Sequence, residues 1–190
     1  TEFSLFDETF MEELSKMKEK NVAMELLKRL LKEKIKKTKR QNVVQSEKFS
    51  DMLNDALNQY LKGMLTNEEV IKELIELAKK IKEEEKAGEK LGLNEQEKAF
   101  YDALAKPSVV AGLYTDEQFI AFAKELTEVL RNNRTIDWRH KEAGKAQMRV
   151  LIKRQLKKHG YPPEGRQEAL DYVMAQCDNW ADNEDNITEE

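Results

Sequence analysis

The chain has 190 residues, 39% of them hydrophobic and 37% charged, with a net charge of −4. Glu, Lys, Leu and Ala dominate, a composition that favours helices with one apolar stripe and an ion-paired outer face. β-Branched and aromatic residues never collect into alternating runs, so a sheet is excluded and the expected fold class is all-α, with about eight helices in two small bundles.

In chain order, a short helix is expected over 7–18, burying Phe10, Met11, Leu14 and Met17. Asn21 can cap a longer second helix whose apolar set is Val22, Leu26, Leu27, Leu30, Leu31 and Ile35. Ser46 is a plausible cap for the third, with Phe49, Met52, Leu53, Ala56, Leu57, Tyr60 and Leu61 along one face. Thr66 and Glu69 form a capping box for a fourth, carrying Val70, Ile71, Leu74, Leu77, Ala78 and Ile81. Its polar end, 82–90 with Gly88, reads as a fraying terminus and linker. The expected units are therefore 1–88 and 89–190.

In the second of these, Asn94 with Glu97 opens a short helix through Phe100 and Leu104 that stops before Pro107. Thr115 and Gln118 open the next, which carries Phe119, Phe122, Ala123, Leu126 and Leu130. After a turn at 132–135, a basic helix is expected over 137–159, closed by Gly160. Pro163 suits the first position of a last helix holding Ala169, Leu170, Val173, Met174 and Cys177 and ending near Trp180. The acidic segment 182–190 is expected to be a disordered tail.

Charge is segregated along the chain. Residues 21–44 carry eight Lys/Arg against two Glu, a net of +6; 137–159 carry eight against two, again +6; and 164–190 carry nine acids against one Arg, a net of −8. Such blocks imply charge-guided contacts within the molecule or with a partner. Lys141, Lys145, Arg149, Lys153 and Lys157 recur every four residues, and each step turns about 40° around the helix. The stripe therefore starts over the buried arc of Met148, Leu151, Ile152 and Leu156 and ends facing away from it.

Catalytic equipment is scarce. None of the seven glycines precedes a Lys-Ser/Thr pair in a phosphate-cradling loop, and one Cys with two His cannot supply a four-ligand zinc site. A Cys177–His nucleophilic pair is formally available, but a buried structural thiol is the simpler reading. Asp, Glu and Lys within 137–145 can be arranged like a nuclease site, yet such ligands usually hang on a sheet. No catalytic, cofactor or metal residue is therefore assigned. The lone cysteine fits a reducing cytosol, and no apolar run approaches the ~20 residues needed to span a membrane. Starting at Thr1 within an amphipathic pattern, the chain reads as a segment of a larger intracellular protein.

Four segments carry a resemblance: QSEKFSDMLNDALNQYLKGMLTNEEVIKELIELAKKI at 45–81, LGLNEQEKAFYDAL at 91–104, TIDWRHKEAGKAQMRVLIKRQLKKHGYPP at 135–163 and ALDYVMAQ at 169–176. Their order and spacing resemble the C-terminal region of type I restriction enzyme R subunits, the motor and endonuclease of their complex. The resemblance implies nuclease and motor domains upstream, and ATP and Mg would belong to those. It also implies a helical domain after the motor (1–88), then a C-terminal domain (89–190) docking onto the methyltransferase core. Methyltransferase and specificity subunits are the implied partners, in the cytoplasm. Trp138, Arg139, Arg149, Lys153, Arg154, Lys157 and Tyr161 are expected to shape the docking surface. The alternative is a module that contacts duplex DNA through 28–40 or 153–158.

Overall fold

The structure, a computed structural model, describes residues 7–135 and 138–188, the last eight of these as backbone alone. The described residues form eight α-helices and three short 3-10 turns, with no strand. They divide into two compact units. The first comprises 7–38 with 45–87, and the second 39–44 with the residues from 88 onward.

The first unit is built from α1 (Glu8–Lys16), α2 (Lys20–Lys39), α3 (Val43–Leu61) and α4 (Asn67–Lys90). Asp7 caps α1 by accepting from the Thr9 amide at 3.0 Å. The Thr66/Glu69 box opens α4 with both reciprocal bonds made, each 3.2 Å. The core gathers Leu14, Leu27, Leu31, Phe49, Val70, Leu74 and Ile81, all at most 2% exposed.

Several expectations fail here for identifiable reasons. Asn21 lies inside α2 rather than capping it, and its side-chain oxygen accepts from Asn67 Nδ2. Val22 is 53% exposed, because it sits about 180° around the helix from Leu31. Ala23 and Met24 fill the core in its place. Ser46 does not start α3, which begins three residues earlier at Val43. It is buried, and its hydroxyl donates to the Ile35 carbonyl at 3.1 Å. Leu61, the last residue of α3, runs off the end of the core at 79% exposure.

The polar end of α4 does not fray. It stays helical to Lys90, with Glu85 paired to Lys34 at 2.5 Å and Glu84 near Lys48 at 3.9 Å. The helix then ends in a Schellman turn, Leu93 N–H to Gly88 O and Gly92 N–H to Glu89 O, which needs the positive φ of Gly92 (71°).

The second unit holds α5 (Glu95–Ala105), α6 (Asp116–Asn133), α7 (Glu142–Lys158) and α8 (Arg166–Thr188). α5 packs on α6 and α8, and α7 packs on the same two helices, so the four enclose one core. Phe100, Leu104, Phe122, Leu126, Leu130, Ile152, Tyr161 and Val173 fill it. Capping boxes at Asn94/Glu97 and Thr115/Gln118 open α5 and α6 as the sequence indicates.

Residues 39–44 are anchored to this unit by side chains. Asn42 Nδ2 donates to Asp102 at 2.8 Å, and the Val43 amide donates to Gln176 Oε1 at 3.0 Å. Gln176 in turn donates to the Gln41 carbonyl, while Lys98 holds Asp102 from the other side at 2.6 Å. Val44 joins the core.

The basic segment is shorter than its pattern suggested. Trp138–His140 forms a separate 3-10 turn and α7 begins only at Glu142; Asp137 lies outside the described residues. The turn folds back onto the first turn of α7, where a Cβ on Gly144 would come within 2.5 Å of the Trp138 carbonyl oxygen. Pro163 opens a 3-10 turn, Pro163–Gly165, and α8 follows it. α8 does not stop at Trp180 but continues to Thr188. The expected tail is therefore helical up to that residue, and 189–190 lie outside the described residues.

Candidate interaction surface

Of the seven candidate residues, Trp138 and Tyr161 are interior. Trp138 is 4% exposed in the core of the second unit. Tyr161 is fully buried, and its hydroxyl donates to the Leu104 carbonyl at 2.6 Å. It follows Gly160, whose positive φ (66°) closes α7, with Tyr161 N–H bonded to Leu156 O. These two aromatics position α7 rather than present a surface.

The five cations lie outside. Arg139 is half-exposed and its Nε bonds to His140 Nε2 at 3.2 Å. Arg149, Lys153, Arg154 and Lys157 are exposed and form no salt bridge with any described residue. Measured around α7 from buried Met148, Arg149 lies at about 100°, Lys153 at about 140°, Lys157 at about 180° and Arg154 at about 240°. Lys153, Lys157 and Arg154 face away from Ile152, Gln155 and Leu156, which are buried, while Arg149 flanks Leu156 at the edge of the buried arc. Lys145, early in the stripe, is half-buried as the winding requires. Lys141 is exposed instead, because it is the N-cap, with extended backbone, and lies off the helical wheel.

At the centre of this ridge stands Val150, 45% exposed, with Ala146 and Ala143 exposed one and two turns earlier. The sequence reading missed Val150, although an apolar residue out of phase with the buried stripe was a signal that could have found it. The result is an apolar spine flanked by guanidinium and ammonium groups.

The C-terminal end of the basic block is satisfied within the unit. Lys158 and His159 both bind the Glu125 carboxylate of α6. Chiefly through the Lys158 hydrogen bond, and then through His159, this holds Glu125 below its usual range, while partial burial opposes the shift. His159 also meets the ring of Phe122 edge-on, centroids 4.2 Å apart, and its carbonyl accepts from the Tyr114 hydroxyl. No salt bridge joins α7 to the described acidic side chains of α8. Arg134 instead lies over Trp180, 4.2 Å from the ring centroid, with Arg131 further out at 5.8 Å.

Cys177 is buried, and burial pushes its thiol far up from its ordinary value. A nucleophilic cysteine needs the opposite environment. No cluster of three or more His, Cys, Asp or Glu suited to a metal occurs among the described residues, and none of their helices is long and apolar enough to cross a membrane.

Residues 1–183 match the family described as Type I restriction enzyme HindI endonuclease subunit-like, C-terminal. The chain is 41% identical over 115 residues to the Type I restriction enzyme HindI endonuclease subunit of Haemophilus influenzae, covering 60% of this chain and 11% of that protein. It is 35% identical over 95 residues to the Putative type I restriction enzyme MjaIXP endonuclease subunit of Methanocaldococcus jannaschii, covering 48% and 9%. The aligned part is thus about a tenth of the length of either relative. No solved structure matches. The match runs unbroken through both helical units, and the chain belongs to the HindI-like C-terminal family of type I restriction enzyme endonuclease subunits.

Proposed function

We propose that this C-terminal region is a docking module that holds an ATP-driven DNA translocase and endonuclease on the methyltransferase core of its complex. In this reading 1–88 follow the motor and 89–190 make the contact. Chemistry, ATP and Mg belong to the upstream domains, and this segment contributes no catalytic group. The partners are the methyltransferase and specificity subunits, in the cytoplasm.

One observation carries the proposal: the outer ridge of α7 combines a half-exposed Val150 with four exposed cations that pair with no described acidic residue. Interfaces put apolar contact at the centre and polar groups at the rim, and Arg is enriched in them. Complementary charge then sets orientation and association rate more than raw affinity. A helical segment that merely braces the motor has no need of such a ridge.

The test uses the complete endonuclease subunit carrying Val150→Asp, or Lys153→Glu with Lys157→Glu, co-purified with its methyltransferase partners. Assembly is expected to fail for both variants while ATPase activity of the free subunit persists. Intact assembly with both variants overturns the docking role and leaves the brace.

A further inference from the structure

A second basic surface lies on α2, in the first unit. Lys28, Arg29, Lys32 and Lys36 fall within about 100° of one another around the helix; Arg29, Lys32 and Lys36 lie at least about 100° from the middle of the buried arc of Met24, Leu27, Leu31 and Ile35, and Lys28 lies at its edge, about 60° away. Lys28 is half-buried and the other three are exposed. None of the four forms a salt bridge with a described residue, although Lys34 on the opposite side of the same helix pairs with Glu85. The unit thus pairs Lys34, while Lys28, Arg29, Lys32 and Lys36 meet no acidic partner among the described residues.

This face differs in kind from the α7 ridge. Between Lys28 and Lys36 its exposed positions are Arg29, Lys32 and Glu33, and the exposed apolar side chain of this side, Val22, stands at its N-terminal end beyond Glu25 and not at its centre. Three of the four cations are lysines, which are depleted at protein–protein interfaces and serve well as point charges toward phosphate. Lys28, Lys32 and Lys36 recur in steps of roughly 6 Å, and the four cations occupy roughly 12 Å of axis. That is one positive charge per 3–4 Å, roughly the spacing of phosphates along one strand of B-DNA, about 3.4 Å of axis each.

We infer that the outer face of α2, centred on Lys28, Arg29, Lys32 and Lys36, binds the phosphate backbone of duplex DNA without reading its sequence. Binding is driven by release of condensed counterions, so it weakens steeply with salt. Glu25, exposed one turn before Lys28–Arg29, opposes a phosphate there and limits the footprint at that end.

The experiment compares the complete endonuclease subunit with its Lys28→Gln/Lys32→Gln/Lys36→Gln variant on a duplex of arbitrary sequence, across a salt series. Losing three phosphate contacts is expected to lower the slope of log K against log salt by about 2.7, and affinity near 0.15 M salt by roughly a hundredfold. Glu25→Gln is expected to shift affinity the other way. Lysine acetylation read by mass spectrometry separates this site from any other DNA contact in the subunit: duplex is expected to protect Lys28, Lys32 and Lys36 and to leave Lys153 and Lys157 reactive. An unchanged slope with no protection overturns the inference. Protection by the methyltransferase partners in the absence of DNA also overturns it, and makes α2 a protein contact.

Discussion

Replacing Tyr161 by Phe isolates one hydrogen bond on which the packing of the second unit depends. The Tyr161 ring is fully buried, and its hydroxyl reaches the carbonyl of Leu104 at 2.6 Å. Leu104 lies in the last turn of α5, where carbonyls have no intrahelical donor. Phe keeps the ring and its contacts, so little cavity forms, and the dominant cost is a buried acceptor left unpaired, about 1–3 kcal/mol. With a urea m-value of about 2 kcal/mol/M, a loss of about 2 kcal/mol moves the unfolding midpoint down by about 1 M with m unchanged. A pH signature accompanies it. Burial raises the Tyr161 phenol above its ordinary value near 10, so the folded chain keeps a proton that the unfolded chain sheds. That contribution is complete below pH 10 and is lost as pH rises through 10 toward the folded value. The variant lacks it, so the stability gap between the two proteins should narrow above pH 10. A midpoint change under about 0.2 M, or parallel pH curves, would show that the hydroxyl does not hold α5 to this corner.

Three further outcomes follow from other corners of the structure. Glu125→Gln is expected to cost about 0.5–1 kcal/mol at neutral pH, since the carboxylate is a third exposed. Because its folded pKa lies below 4.5, the wild-type advantage is present above that pH and fades as pH falls through the folded value, which an acid titration of both proteins checks. Gly144→Ala, which ordinarily stabilises a helix by about 1 kcal/mol, is expected to lower Tm, because the added methyl meets the Trp138 backbone at 2.5 Å. A raised Tm would mean the 3-10 turn simply moves away. Cys177 should react with a thiol reagent only as the second unit opens, and stoichiometric labelling within seconds in native buffer would contradict its burial.

Short-range interactions are legible in this chain and long-range ones are not. Thr66/Glu69, Asn94/Glu97 and Thr115/Gln118 were readable because a capping box closes over three residues and needs no tertiary partner. Ser46 misled because the same hydroxyl chemistry can satisfy a distant carbonyl, Ile35 O, as well as a helix end. Leu61 misled because an apolar residue at a helix end can run past the core, and Val22 because an apolar residue can lie on the wrong side of a helix whose neighbours Ala23 and Met24 are buried. On the candidate surface, the exposed cations of α7 follow from its rotation alone. The burial of Trp138 and Tyr161 does not, because it depends on α5, α6 and α8 closing over them. Glu125 carries no local mark among 37 acidic residues; only the fold brings it to Lys158 and His159.

The hexapeptide 39–44 bears on how such a region can be inherited. A gene fragment opening at codon 88 would encode all four long helices of the second unit, yet it would omit Val44 from the core and strip Asn42 from Asp102. Gln176, buried at 6% exposure, would lose both its acceptor on Gln41 and its donor on Val43. Recombination that swaps the last hundred residues between related subunits would therefore mismatch partners encoded more than 130 residues apart in the case of Gln176. Selection should keep the two stretches together, and a viable chimera would exchange 39–44 along with everything after 88.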